Sequence, residues 1–315
     1  MHMDRTKNNS DKSSTSQLLR FMPGSYMDRT SRPIYAIAYL VVFIVFYEIG
    51  TFLISPETLD ASFSQQQIRV VSFIWLQNAL QYLGFSNRVV WVGTPLAVVL
   101  ILFALQITSR TSWKVRLGDF APMTMECVLL AIPLIVLSLS LNRYAHSQAQ
   151  AYGTCANGQV GSCAVSAAGE TAEGVTDTQS ASSRRTGPNR SSMVVNIVTG
   201  IGAGIYEELV FRLILICVLM IIFQDLLGVD KGVSIAASIL ISAVFFSLHH
   251  YRFFLNGSLH TGDAFSMTTF FFRLLAGVYF AVVFAVRGFG ITAGTHAFYD
   301  IIAAIMNAVF FAGSD

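Results

Sequence analysis

Long apolar segments alternate with shorter polar ones along most of the chain, and each apolar segment is long enough to form a helix. Continuous apolar runs of this length are typical of membrane helices, whose backbone groups are hydrogen-bonded within the segment. They lack the residue-by-residue alternation of a membrane β-barrel. The pattern predicts an all-α fold, a polytopic transmembrane bundle of about seven to eight helices. The predicted helices cover residues 33–54, 70–85, 89–108, 123–142, 193–227, 232–249, 268–286 and 291–312.

Two of these segments have lengths that do not suit a single straight span. The segment 70–85 is short and carries Gln77, Asn78 and Gln81, so we expect it to be interfacial or re-entrant. The segment 193–227 would be about 52 Å long as a helix, whereas the hydrocarbon core of a bilayer is about 30 Å thick. Its sequence "TGIGAGIYEE" predicts a break or kink at the glycines, with the acidic pair in the first turns after it.

The polar stretches divide the chain into four regions. We expect a disordered cytoplasmic tail (1–32), N-terminal transmembrane helices (33–142), a flexible extramembrane loop (143–191) and a second group of transmembrane helices (192–315). The loop is rich in small polar residues, which cannot form a packed core. It contains Cys155 and Cys163, which could form a disulfide in an oxidising compartment or remain two free thiols.

Composition and charge support the membrane assignment. Mean hydropathy is +0.59, and charged residues make up 12% of the chain, about half the share of a soluble domain. The net charge of +2 and the scattered basic residues argue against a nucleic-acid partner. Basic residues precede the first span and lie at 110–116, which predicts a cytoplasmic N-terminus and an extracytoplasmic 143–191 loop.

Three charged residues interrupt the apolar segment 193–227. Glu207, Glu208 and Arg212 would each cost about 2.5–3.5 kcal/mol at the centre of a membrane helix. Glu208 and Arg212 are four residues apart with the acid first, which predicts an ion pair. Glu207 points about 100° away from that pair on the helix and needs a partner of its own, or water.

Histidines and an aspartate in the following segments are candidate partners for Glu207. His249 and His250 end one segment, and His296 and Asp300 are one helical turn apart in the last. Straight helices would place His249 near the outer end of its span and His296 near the inner end. A carboxylate beside a histidine can deprotonate water, and a second histidine can stabilise an oxyanion. The same groups could bind zinc, although the spacing H-E-x-x-H is absent.

Three motifs resemble those of the CPBP family, which comprises CAAX prenyl endopeptidases and bacteriocin-processing or immunity proteins. They are "EELVFR" from Glu207, "FFSLH" ending at His249 and "HAFYD" from His296. They occur in the family's order on separate apolar segments, within residues 192–312. The resemblance implies a helical intramembrane endopeptidase that cleaves a membrane-associated protein or peptide.

The resemblance also implies roles for individual residues. Glu207 would be the general base and would activate water together with His249, or with His250 in an alternative alignment of the second motif. His296 and Asp300 would stabilise the oxyanion. The supporting residues would be Glu208, Arg212 and Phe245. This mechanism requires no cofactor and no metal. Zinc-dependent hydrolysis by the same residues is the less favoured alternative.

Some questions stay open at the level of sequence. A non-catalytic binding or immunity factor and a proton-coupled transporter are alternative functions, since buried charges also serve ion and proton transfer. We expect a multi-pass integral membrane protein, located in the bacterial inner membrane. The sequence does not indicate the substrate, the oligomeric state or the membrane side to which the site opens.

Overall fold

The computed structural model of the protein describes residue 22 and residues 24–54, 70–156, 190–255, 258–263 and 265–311. These residues are almost entirely helical, as predicted. The helices, in chain order, are α1 (Tyr26–Thr30), α2 (Pro33–Ile54), α3 (Val71–Tyr82), α4 (Asn87–Ser109), α5 (Phe120–Ala156), α6 (Arg190–Glu208), α7 (Ile216–Met220), α8 (Lys231–Leu248), α9 (Met267–Arg287) and α10 (Phe289–Met306). Short 3₁₀ or π segments adjoin α5, α6, α7 and α10 (Leu117–Asp119, Leu209–Leu215, Ile221–Leu226 and Asn307–Phe311).

Seven helical segments within the described residues are long and apolar enough to cross a membrane. They confirm the polytopic helical bundle, and the segment Met193–Leu226 counts as one span that includes α6 and α7. Helix α3 has 12 residues and is therefore about 18 Å long, too short to cross a bilayer. It is the one predicted segment that does not span, in agreement with the expectation of an interfacial or re-entrant helix.

Helix α10 lies at the centre of the bundle. Half of its span is buried inside the protein (50%), compared with 17–33% for the other spans. It packs against α6, α5, α2 and α9. The residues that the last motif places on α10 are therefore surrounded by protein, while the outer helices present their apolar side chains to lipid.

Helix α6 has no break at its glycines, so the predicted break is wrong. The helix runs without interruption from Arg190 to Glu208, and the acidic pair lies in its last turn. The glycines serve close packing instead. A Cβ on Gly204 would lie 2.6 Å from the backbone nitrogen of Ala297, and one on Gly200 would lie 2.5 Å from Cβ of Asp300. Small residues at such a contact let two membrane helices approach closely.

A π-helical stretch follows α6 directly, from Leu209 to Leu215. Single π turns inside α-helices are uncommon and are frequent at functional sites. Arg212 lies in this stretch, and Glu208 is the last residue before it. The change in helical period therefore occurs at the three charged residues that the sequence singled out.

The last part of the predicted disordered tail is ordered in the structure, which corrects that boundary. Residues 26–30 form α1, and the hydroxyl of Tyr26 donates a hydrogen bond of 2.8 Å to Glu126 on α5. Burial and this hydrogen bond raise the pKa of Tyr26 above its usual range. Arg287, at the end of α9, donates to Glu126 and to the hydroxyl of Thr30. These contacts fix α1 against the bundle, whereas residues 1–21 lie outside the described part of the chain.

The predicted loop 143–191 also differs in the structure. Helix α5 continues past Asn142 to Ala156, and α6 begins at Arg190. Residues 157–189 lie outside the described part, and so does Cys163, so the predicted disulfide with Cys155 stays a prediction.

One connection of the bundle is not helical. Helices α8 and α9 are joined by a short antiparallel hairpin of β1 (Arg252–Leu255) and β2 (Ser258–Thr261), which the sequence analysis did not predict. The hairpin lies at the end of the bundle opposite α1, because α8 and α9 run antiparallel and α9 ends at Arg287 beside Thr30.

The close contact at Gly204 makes a first prediction. In the variant Gly204→Ala the new methyl group would meet the backbone of α10, so we expect a loss of about 1–3 kcal/mol from overpacking. The measurement is the thermal unfolding of the detergent-solubilised protein. Gly93→Ala is the matched control within helix α4, because its Cβ would make an ordinary contact of 3.5 Å with Leu80. An equal effect of both substitutions would contradict the close packing of α6 on α10.

Candidate active site

The central pair of the site is Glu207 on α6 and His249 at the end of α8. Both side chains are buried, and Nε2 of His249 lies 3.4 Å from Oε1 of Glu207. Nδ1 of His249 lies 2.5 Å from the carbonyl oxygen of Phe246. A carbonyl oxygen only accepts hydrogen bonds, so Nδ1 carries the proton. The imidazole therefore presents Nε2 to the glutamate.

The neighbouring histidine, His250, lies at the same site. Its Nδ1 is 3.0 Å from the same carbonyl oxygen of Phe246, and its ring centroid is 4.0 Å from that of His249. Only His249 forms a close contact of the ion-pair type with Glu207 within the described residues. The structure thus brings both histidines of the second motif to the site, with His249 nearer to the carboxylate.

The third motif supplies His296 from α10. Its Nδ1 lies 2.7 Å from Oε1 of Glu208, and its Nε2 lies 3.6 Å from Oδ2 of Asp300. The ring stacks on Phe280 of α9 at a centroid distance of 4.5 Å. One carboxylate and one aromatic ring therefore fix the imidazole plane, while the distance to Asp300 is longer than a hydrogen bond.

The predicted ion pair between Glu208 and Arg212 is present. Nη1 of Arg212 lies 3.1 Å from Oε1 of Glu208, and both side chains are 0% exposed. The guanidinium also lies 4.1 Å from the ring centroid of Phe246 and 5.4 Å from that of Phe280. Both rings are close enough for cation–π attraction. Oε1 of Glu208 is thus shared between a cation and His296.

Phe246, rather than Phe245, is the aromatic residue of the second motif that reaches the site. Its ring contacts both His249 and His296, with centroid distances of 5.6 and 6.0 Å. Phe245 is 54% exposed on the outer face of α8, so the structure does not bring this predicted supporting residue to the site. Straight helices would place His249 and His296 at different depths in the membrane. The contact of one ring with both shows that the two histidines nevertheless lie close together.

A pocket of about 450 Å³ opens onto these groups. Glu207, His250, His296 and Asp300 line it, together with residues at the start of α9 and at Ser138 and Leu141 of α5. A second pocket of about 420 Å³ lies on the other side, between α3, α6 and α10. Glu207 and Asp300 line both pockets, so the carboxylates form part of the wall between two cavities.

The donor set fits a metal ion. Glu207, His249 and His250 each offer a ligand atom, and these atoms lie within 4.8 Å of one another. Two histidines and one glutamate form a known catalytic zinc site. The hydrogen bonds from both Nδ1 atoms to a carbonyl oxygen are also typical of zinc-bound histidines. When bound, zinc would act as a Lewis acid and lower the pKa of a coordinated water.

Sequence reasoning missed some residues of the site. Phe246 and Phe280 are apolar, so no signal distinguishes them from other core residues. Arg273 of α9 also lines the first pocket, and its charge within an apolar segment was a signal that the motifs did not include.

Fold and site together define a class: a multi-pass helical membrane protein with a buried glutamate–histidine centre beside a pocket. Residues 189–302 match the model of the family described as Type II CAAX prenyl endopeptidase Rce1-like. The match confirms the resemblance to the CPBP family in this part of the chain, which contains all three motifs. It supports intramembrane protease activity in general. Searches among curated proteins and among solved structures found no match.

The buried ion pair makes the second prediction. Arg212→Ala or Glu208→Ala leaves the other charge buried and unpaired, which costs about 3–5 kcal/mol, so we expect a large drop in expression and melting temperature. The double variant Glu208→Gln/Arg212→Met should recover a substantial part of this loss, because no unpaired charge remains. Melting curves in detergent measure both effects. Strictly additive losses in the double variant would contradict the pairing.

Proposed function

We propose that the protein is a glutamate-dependent intramembrane endopeptidase that hydrolyses a peptide bond of a membrane-associated protein or peptide without a metal. The observation that carries the proposal is the buried contact of 3.4 Å between Nε2 of His249 and Glu207, which itself lines a pocket inside a membrane bundle. A water that contacts both groups from one side can be oriented by the pair and deprotonated by the carboxylate. The family match of residues 189–302 supports the reaction class.

In the proposed reaction Glu207 accepts a proton from the water, and the water oxygen attacks the carbonyl carbon of the scissile peptide bond. The Nε2 face of His249 holds and orients the water. Collapse of the tetrahedral intermediate breaks the carbon–nitrogen bond, and the proton passes from Glu207 to the leaving amine. The products are a carboxylate and an amine, and no covalent enzyme intermediate forms.

His296 is the proposed donor to the oxyanion. Its Nδ1 is held by Glu208 at 2.7 Å, so Nε2 is the nitrogen that faces the pocket. Donation from Nε2 requires a doubly protonated imidazole, because Nδ1 donates to Glu208. Asp300 lies 3.6 Å from the same nitrogen, and as a carboxylate it would repel an oxyanion. The proposal therefore assigns Asp300 a protonated carboxyl group during attack, which leaves Nε2–H of His296 for the oxyanion.

A zinc-dependent version of the hydrolysis is the second candidate. It is favoured by the ligand atoms of Glu207, His249 and His250, which lie within 4.8 Å of one another. The two versions differ in the role of His250. It is a zinc ligand in the zinc-dependent version, and it only lines the pocket in the metal-free version. A proton-coupled transporter or a non-catalytic immunity factor has no such support, since the matched family model describes endopeptidases.

The seven apolar spans and the family match support a multi-pass integral membrane protein that acts on a membrane-associated peptide. We further propose a bacterial inner-membrane location with a cytoplasmic N-terminus. The pocket includes the end of α8, the start of α9 and the end of the membrane span within α5, which lie opposite α1. In this orientation the pocket would open toward the extracytoplasmic side.

The third prediction concerns Glu207. Glu207→Gln keeps the size of the side chain but removes the base, so we expect proteolysis to fall by at least about 10²–10⁴-fold at unchanged abundance. Protein termini in membranes of cells that carry wild type or variant are compared by mass spectrometry. Asp225→Asn, a loss of the same charge at an exposed position, is the control and should resemble wild type. Identical termini for Glu207→Gln and wild type would refute the protease and favour a binding role.

The fourth prediction separates the two versions of the mechanism. Without a metal, purified protein should contain far less than one zinc per chain, and a chelator should leave cleavage within about 2-fold. His250→Ala should then reduce activity less than His249→Ala, because only His249 is close to Glu207. Metal analysis and cleavage assays measure these effects. Stoichiometric zinc that is lost together with activity in His250→Ala would establish the zinc-dependent version instead.

A further inference from the structure

Three aromatic rings from separate parts of the chain surround the imidazole of His249. The centroid of its ring lies 4.7 Å from that of Phe211, 5.6 Å from that of Phe246 and 6.1 Å from that of Trp75. Trp75 also contacts Phe211, at a centroid distance of 6.1 Å. Aromatic pairs at such distances attract one another by about 0.5–1.5 kcal/mol beyond their area burial. The imidazole is therefore held by rings as well as by its hydrogen bond.

His249 lies at a position where such support matters. It follows the last residue of α8 as the C-cap, and helix ends are the parts of a helix that fray. Its Nδ1 donates a hydrogen bond to the carbonyl oxygen of Phe246, which fixes one atom of the ring but not the tilt of the ring plane. The direction in which Nε2 points toward Glu207 therefore depends on the surrounding rings.

Two of the three rings belong to the part of the chain that matches the family model. Phe211 is buried in the π-helical stretch, and its carbonyl oxygen accepts a hydrogen bond of 2.7 Å from the hydroxyl of Ser242 on α8. Phe246 lies in the last turn of α8. Trp75, in contrast, lies on α3, outside residues 189–302. The third ring is thus supplied by the N-terminal helices.

Helix α3 is anchored beside Glu207, and this anchor fixes the position of Trp75. Phe73 is 0% exposed, and its ring centroid lies 4.8 Å from that of Tyr206 and 6.0 Å from that of Tyr47. Tyr206 directly precedes Glu207 on α6. A helix too short to cross the bilayer therefore packs against the segments that carry both members of the central pair.

We propose that Trp75 is a positioning residue, whose indole acts together with Phe211 to hold the imidazole of His249 so that Nε2 faces Glu207. The effect on reaction rate rests on the proposed peptidase function, whereas the orientation of the imidazole can be measured without turnover. Orientation matters for the rate, since a displacement of about 1 Å at a catalytic group can cost about 100-fold. Helix α3 then contributes to the site through one side chain that touches a histidine and not the substrate.

The first readout is NMR spectroscopy of the full-length protein in detergent, with isotope-labelled histidine and a chelator present. Wild type should show His249 in one state protonated at Nδ1, and the loss of its signal in His249→Gln assigns it. Trp75→Leu removes the ring but keeps an apolar side chain, so we expect the signal to broaden or split as the imidazole samples more orientations. Trp75→Phe keeps a ring and should retain the wild-type signal. An unchanged His249 signal in Trp75→Leu would overturn the inference.

The second readout is the rate at which Glu207-dependent protein termini appear in cell membranes, compared at equal abundance of the protein. Trp75→Leu should lower this rate about 10-fold or more, and Trp75→Phe should restore it to within about 3-fold of wild type. Adding Trp75→Leu to His249→Gln should cause no further loss, because Trp75 acts through His249. A further loss of the same size in the double variant would overturn the inference, and so would equal rates for Trp75→Leu and wild type.

Trp91→Leu is the matched control, since Trp91 lies on α4 and is 53% exposed. It should leave the His249 signal and the rate at their wild-type values. Both readouts are taken at a temperature at which melting curves show every variant to be folded, and Trp75→Met replaces Trp75→Leu if the latter does not fold. Absence of any Glu207-dependent terminus would refute the proposed function, whereas a disturbed His249 signal in Trp75→Leu would still support the positioning role.

Discussion

The carboxylate of Glu208 holds the centre of the protein together, because its Oε1 faces both Arg212 and His296. An arginine is costly when it is alone in an apolar interior, and the carboxylate of Glu208 lies 3.1 Å from Arg212 and 2.7 Å from Nδ1 of His296. The same contact links α10 to α6 at the start of the π-helical stretch. The position of the proposed oxyanion donor therefore depends on an ion pair that takes no part in the chemistry.

The packing around this centre explains how separate helices form one site. Gly204 lets α10 approach α6 closely, and the aromatic rings of Phe246 and Phe280 lie on either side of the Arg212 guanidinium. Phe246 also touches both histidines, and its carbonyl oxygen orients the ring of His249. The polar groups are thus held by apolar contacts and by one backbone acceptor, which keeps them ordered inside a membrane bundle.

Two properties of the pocket bear on function. Glu207 in its wall faces His249, and Arg273, which also lines it, is paired with the exposed Asp263. The first property is suited to the activation of water. The second places a positive charge in the wall of the same cavity as Glu207 and His296.

The sequence by itself determined the spans, the ion pair of Glu208 with Arg212 and the three motifs, because these depend on hydropathy and on spacing within one helix. It misjudged the glycines of α6, which looked like a break but are contact points, since a local pattern does not show which neighbour a glycine faces. Only the tertiary structure decided that Phe246 rather than Phe245 reaches the site, and that Arg273 and Phe280 belong to it. These assignments depend on how helices distant in sequence are rotated against one another, and that rotation follows from packing throughout the bundle.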